Sequence, residues 1–522
     1  MAPTRKLPGP DRPRSAELAG FGLLAALTLL VGSELARPLP VPAIAFDSQV
    51  SVYHFELIVQ GKRLDYFLTV TSKPLMTVID GTLHRAFGGW SGISLATILA
   101  YTVGVVLTAA LARRVAGSAA AVVAGVGIAM APYLVYEVGV SLATPWALPL
   151  WAGSALAVTA RVPRYAFAGL LLAMATLVRL ETVILTGCAV VSLIVAWLAS
   201  RASRTPAPPS RAWLTPLVAL VALPFLAIHD VAISGDPLYW TKVAGVFSEL
   251  AAVPIPTPGD VVRLFVARWA TAPLAAPLAV IGIYWLAVNR RWALLVGLVA
   301  LGPTIIAALL ALAARGIYVD RRYLAAPELV TCLAAGIGFG AALRWTTAAA
   351  MRSRGTTQRV AGLLSARAGP VVVAALLALL IVPPYFVRVP GVRGTVGEAI
   401  QEAIGLELAL PIIRVALASP PDPPAGLRPL IVPRNLRYRA ALDLDLPESQ
   451  VGRQDPARFH LGSGFPAAGQ VVVHTRFEAV LAPDSDLRRI EVSAPAVVDG
   501  VPVAPLLANE GAGIWVVRIG EP

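Results

Sequence analysis

Long apolar runs recur along this chain and restrict its fold more than any other feature. The stretches near Leu18–Leu35, Ile93–Leu111, Ala119–Tyr136 and Leu142–Thr159 are almost free of charge. About 18 such residues cross a bilayer core as a helix. Inside lipid each backbone N–H and C=O must bond internally, so helices are the natural way across. Further runs lie near Trp213–Ile233, Ala272–Val288, Ala293–Ala313, in a segment ending near Arg344, and at Pro370–Val387. Phe167–Leu198 is too long for one crossing at about 1.5 Å per residue, and reads as two spans turning at Arg179–Glu181. The total is about eleven spans. For the first run a cleaved signal peptide competes, with Val31 and Ser33 flanking a small-residue site.

Charge placement gives an orientation. The net charge is +13, a value that invites a nucleic-acid reading. The basic residues instead cluster in short connectors: the N-terminal tail, Arg113-Arg114, Arg161 and Arg164, Arg201–Arg211, Arg290-Arg291 and Arg344–Arg367. These alternate onto one side, as the positive-inside rule requires. Basic residues interleaved with aromatics on a polar surface are absent, so no nucleic-acid partner is expected. The N-terminus is then cytoplasmic. Residues 46–88, Arg179–Glu181, 234–268 and Arg315–Arg322 lie on the outside. Cys188 and Cys332 each sit in an apolar run and read as small core residues.

The loop after the first run is long and patterned. Phe46, Val50, Tyr53 and Leu57 share a helical face, with Gln49, Glu56 and Gln60 opposite. Gly61 ends this helix, and a second begins near Pro74 and stops at Gly88-Gly89. The apolar face of the second is Leu75, Val78, Ile79, Leu83 and Ala86, with Asp80 and His84 on the other side. Two short helices lying flat on a membrane surface fit this pattern.

In order, the loop presents Asp47, Tyr53, Gly61, Lys73-Pro74 and Gly88. This order resembles the first extracytoplasmic loop of the GT-C glycosyltransferases, whose layout protein mannosyltransferases and aminoarabinose transferases share. The resemblance implies a mainly α, polytopic bundle in a bacterial inner membrane. It further implies a lipid-phosphate-linked sugar as donor, with a loop Asp as catalytic base. Sugar transfer from such a donor needs a base for the acceptor hydroxyl and cations for the departing phosphate.

Several residues are candidates for these roles, each with a plainer alternative. The resemblance assigns the base to Asp47, where a helix N-cap is the competing role. Glu56 and Asp65 are lesser candidates that a solvated loop face also explains. Lys73 starts a helix, where cation and helix N-terminus suit a phosphate, or a lipid headgroup. Arg179 and Glu181 resemble an Arg-x-acid pair of GT-C proteins, while snorkelling to the interface competes. Asp236 and Lys242 lie in a Gly-Asp-Pro-Leu region similar to bacterial GT-C stretches, which a turn also explains. Arg321-Arg322-Tyr323 breaks the inside bias and resembles the Arg-Tyr placed at the donor phosphate, where a guanidinium fork fits. A headgroup anchor competes there.

No metal-ligand spacing, dinucleotide fingerprint or phosphate loop occurs. The expectation is no cofactor and no evident divalent metal, with the lipid-linked sugar as donor substrate and a glycan, lipid or protein as acceptor. Residues 1–389 read as the transmembrane domain, including the loop 37–91. Residues 390–522 read as a small extracytoplasmic α/β domain, with β-rich runs RPLIVP, GQVVVHTRF, RRIEVSA and GIWVVRIG. A transporter or flippase of lipid-linked glycans, and a non-catalytic scaffold for envelope assembly, are the other classes. Against the first, the two halves of the chain are unlike.

Overall fold

The computed structural model describes residues 15–37, 41–62, 73–203, 207–239, 257–270, 275–315, 321–352, 396–418, 427–453, 466–476 and 489–520. Six helices among these are long and apolar enough to cross a membrane, or up to seven if one bent pair counts as a span. They cover Leu18–Ala36, Ser91–Ala116, Thr182–Ala202, Ser210–Ser234, Trp292–Ala314 and Ala325–Trp345. The expected count of eleven is larger for physical reasons. The third run splits into α5 (Ser118–Ala129) and α6 (Pro132–Gly139), bent by 51° where Pro132 opens the second half. The helices α7 (Thr144–Val158), α8 (Tyr165–Val178) and α13 (Ala275–Val288) hold 14 or 15 residues. That is about 21–23 Å, short of a core of about 30 Å. The expected last span, 370–387, lies outside the described residues.

The apolar helices pack through small residues, as lipid-embedded bundles do. Gly282 on α13 and Gly338 on α16 (Ala325–Arg352) bring two backbones together. A methyl group on Gly338 would overlap the carbonyl oxygen of Leu278. The other side of α16 meets α5 in the same way, with Gly336 and Gly340 seated against Ala120 and Ala116.

Between α1 (Ser15–Ala36) and α4 (Ser91–Ala116) run the two loop helices, α2 (Phe46–Val59) and α3 (Pro74–Phe87). Their ends follow local chemistry. Gly61 and Gly88 take φ of +65° and +64°, a region where a Cβ is penalised. Their faces are turned differently from the flat-on-membrane expectation. The stripe Phe46, Val50, Tyr53, Leu57 packs into the C-terminal core with Leu406, Leu410 and Tyr438. Gln49, expected on the polar face, is buried as well. On α3 the inward residues are Met76, Thr77, Asp80 and Gly81, while Val78 and Phe87 are exposed.

The C-terminal unit is a six-stranded mixed sheet of order β2-β1-β3-β6-β5-β4. Strands β1 (Leu430–Val432), β2 (Val451–Arg453) and β3 (Val471–Thr475) are parallel, and β6 (Ile514–Ile519), β5 (Val501–Asn509) and β4 (Ala496–Val498) continue antiparallel. The expected runs RPLIVP, GQVVVHTRF and GIWVVRIG contain β1, β3 and β6. The described part of RRIEVSA is not a strand, although Ile490 is buried under the sheet. One sheet face is covered by helix α17 (396–418) and by α2. A short crossover helix, α18 (Arg437–Asp443), joins β1 to β2 and lies against α2.

Candidate active site

Helix α2 begins without a side-chain cap. Ala45 holds the N-cap position in an extended conformation, and its N–H donates to Val140 O at 2.7 Å. Asp47 is therefore a first-turn residue and not the cap. Its carboxylate pairs with Lys73 Nζ at 2.5 Å, with only 11% and 15% of the two side chains exposed. Lys73 is the N-cap residue of α3, directly before Pro74. Thus acid and cation, 26 residues apart in sequence, meet where the two loop helices begin.

A second charged centre forms between α8 and α9 (Thr182–Ser203). Arg179 Nη2 donates to Glu181 Oε1 at 2.9 Å, and Nη1 donates to Glu137 Oε1 at 3.2 Å. Nη1 also donates to the Thr144 hydroxyl. Glu137, on α6, is fully buried and accepts the Thr144 N–H at 2.9 Å. Burial opposes ionisation of Glu181, and the Arg179 guanidinium overrides it, so its carboxyl falls below the ordinary range. Lys73 acts on Glu181 in the same sense, and Tyr323 lies within electrostatic reach of Arg179. The two centres therefore form one charged region, built from α2, α3, α6, the α8–α9 turn and the 321–324 turn.

Sequence reasoning missed Glu137. The available signal was a lone acid near the end of an otherwise apolar run, YLVYEVGV. Such an acid needs a partner and marks a site by default. Asp80, expected on the polar side of α3, is instead fully buried. Neither of its oxygens has a hydrogen-bond partner among the described residues, the Ser48 hydroxyl being turned to Ser141 O at 2.5 Å. Burial pushes the Asp80 carboxyl well up. Nearby, Thr77 Oγ1 lies 3.2 Å from His229 Nε2. The His54 and His229 rings are 6.0 Å apart, and burial, then His229, pushes His54 well down.

Two solved structures share this architecture over most of their length. The crystal structure of ArnT from Cupriavidus metallidurans bound to undecaprenyl phosphate superposes with a TM-score of 0.53 at 15% identity. It covers 97% of this chain and 98% of that one. The Archaeoglobus fulgidus oligosaccharyltransferase in the apo form gives a TM-score of 0.53 at 13% identity, covering 91% of this chain and 73% of that one. The chain shares the fold of these two proteins. No protein-family model matches it, nor does any curated protein.

Within this fold the remaining candidates are placed as follows. Glu56 accepts from Arg85 Nε at 2.8 Å and Nη2 at 2.6 Å, clamping α2 to α3 near the surface. Asp236 Oδ1 accepts the Leu238 N–H at 3.0 Å in the turn after α11 (Ala222–Ser234). Arg321 and Arg322 open a 3-10 turn that packs against α6, the helix of Glu137. The side chains of Arg321 and Arg322 lie outside the described set, as do Asp65 and Lys242 entirely. Among the described residues no group of three or more His, Cys, Asp or Glu is placed to hold a metal ion.

Proposed function

We propose that this protein is a membrane glycosyltransferase that moves a sugar from a polyprenyl-phosphate-linked donor to an envelope acceptor, with inversion at the anomeric carbon. The observation that carries this reading is the Asp47–Lys73 pair at the shared mouth of the two loop helices. The GT-C fold and the undecaprenyl phosphate bound to the ArnT of Cupriavidus metallidurans support it.

The chemistry follows from the groups present. Asp47 accepts the proton of the acceptor hydroxyl as its oxygen attacks the anomeric carbon. The new carbon–oxygen bond forms on the face opposite the phosphate, whose oxygen leaves with the old bonding pair. Lys73, Arg321 and Arg322 steady the negative charge gathering on that phosphate. The α3 amide N–H groups beside Lys73 add to the same field. Arg179, Glu181 and Glu137 hold the floor of the site rigid. Lys73 pairs with Asp47, and a donor phosphate would compete for Lys73.

Two experiments test this function. Incubating the purified full-length protein with a panel of polyprenyl-phosphate sugars and envelope acceptors should release lipid phosphate with one donor. A flippase would move lipid-linked glycans across a vesicle membrane without releasing it, and a scaffold would do neither. The reading fails if no donor yields lipid phosphate.

The site belongs at the outer face of a bacterial inner membrane, by the arginine asymmetry of the connectors. Single cysteines, introduced after Cys188 and Cys332 are changed to Ser, report this. Gln60→Cys and Val497→Cys should label from outside in intact cells, and Thr205→Cys should not. Outside labelling at position 205 would overturn the orientation.

A further inference from the structure

Residues 434–443 reach back from the sheet and touch the loop of Asp47 at four places. At the loop entrance, Arg439 Nη1 donates to Pro42 O at 3.1 Å. On α2, Gln49 Nε2 donates to Asn435 O at 2.7 Å and its Oε1 accepts the Arg439 N–H at 3.1 Å. The Tyr438 ring lies 5.2 Å from both Phe46 and Tyr53, wedged between residues one turn apart on either side of Gln49. At the loop exit, Trp90 Nε1 donates to Asp443 Oδ1 at 3.2 Å, and the Arg439 guanidinium stands 5.5 Å over the Trp90 ring.

Gln49 is the centre of this arrangement. It is 1% exposed and lies two residues from Asp47. Its amide nitrogen also donates to Ile44 O at 2.9 Å, so it ties the start of α2 to the C-terminal unit. The Asn435 carbonyl needs a donor and the Arg439 N–H needs an acceptor, and the Gln49 amide presents both. Both ends of the buried Gln49 amide are satisfied, and a satisfied buried polar group favours one geometry.

We propose that the 434–443 segment is a strap that positions Asp47, with Gln49 as its positioning residue. The C-terminal unit is then part of the active site and not an appended module. This rests on Asp47 acting as the base. Small displacements of a reacting group carry large rate penalties, about a hundredfold for roughly 1 Å.

The test compares kcat and donor KM per folded molecule in full-length Gln49→Met, which keeps size and loses all three hydrogen bonds. Gln49→Glu keeps the acceptor and loses the donor, and replaces it if the Met variant does not fold. The expected result is kcat down about 10–100-fold, with donor KM within about twofold, since the donor contacts lie on other residues. In an Asp47→Asn background the same change should cost less than about twofold, because the residue it positions is already disabled. Parent-level kcat in the folded variant, or an undiminished loss in the Asp47→Asn background, overturns the strap. Hydrogen exchange across residues 46–59 should accelerate in the variant. If the parent transfers no sugar, the transferase reading fails by itself, and unchanged exchange would then refute the strap separately.

Discussion

Asp47→Asn should lower turnover by at least about a hundredfold while the protein folds normally. General-base catalysis contributes about 10²–10⁴-fold, and Asn has the size of Asp without its basicity. Stability should barely move for two reasons. Ala45, and not Asp47, occupies the cap position of α2. Lys73, relieved of its partner, keeps the Glu181 carboxylate within electrostatic reach. Donor binding should survive, and in this variant Lys73 no longer has to leave a carboxylate to meet the phosphate. Asp47→Glu should recover little, because about one extra methylene displaces the carboxylate from the reacting hydroxyl. Steady-state kinetics with the active donor, alongside a donor-binding isotherm, checks all three points. A folded, donor-binding Asn variant that turns over at the parent rate removes Asp47 as the base.

Arg179→Met should be the most damaging single change to the fold. It strips the cation from two carboxylates, one of them, Glu137, wholly buried. Removing one partner of a buried pair costs about 3–5 kcal/mol, because the remaining charge has no compensation. The double variant Arg179→Met with Glu137→Gln should regain much of the loss, since the stranded charge goes with its partner. Thermal denaturation of the detergent-solubilised protein, read as monodisperse fraction against temperature, reports both. A single variant as heat-resistant as the parent would mean that Arg179 is not what holds Glu137 in place.

These residues show which parts of the molecule a sequence discloses. The limits of α2 and α3 were legible because they depend on neighbours in the chain: Pro74 at a first turn, Gly61 and Gly88 at positive φ. The inward faces were not. Beside lipid the surroundings are as apolar as the core, so a stripe such as Val78–Phe87 can look outward while Thr77 and Asp80 look in. The count of spans rests on the same hydropathy. Hydropathy sees the run across α5 and α6 but not its 51° bend. Asp47 and Lys73 were legible through the order of residues in their loop, and Arg179 and Glu181 as charges set in an apolar run. Their partner Glu137 hid because it stands alone in its run. The contact of Gln49 with Asn435 has no local trace at all.

That last contact has a consequence in time. Gln49 and its partner Asn435 are separated by 386 residues. At roughly 5–20 residues per second, a ribosome takes about 20–80 s to cover that interval. The loop carrying Asp47 is thus among the first segments delivered to the membrane and among the last to be locked. Until the β1–α18–β2 crossover has been made and folded, Phe46 and Tyr53 lack the Tyr438 ring and Gln49 lacks its partners Asn435 and Arg439. A truncated chain would insert its helices yet leave the base unmoored, so competence arrives only with completion.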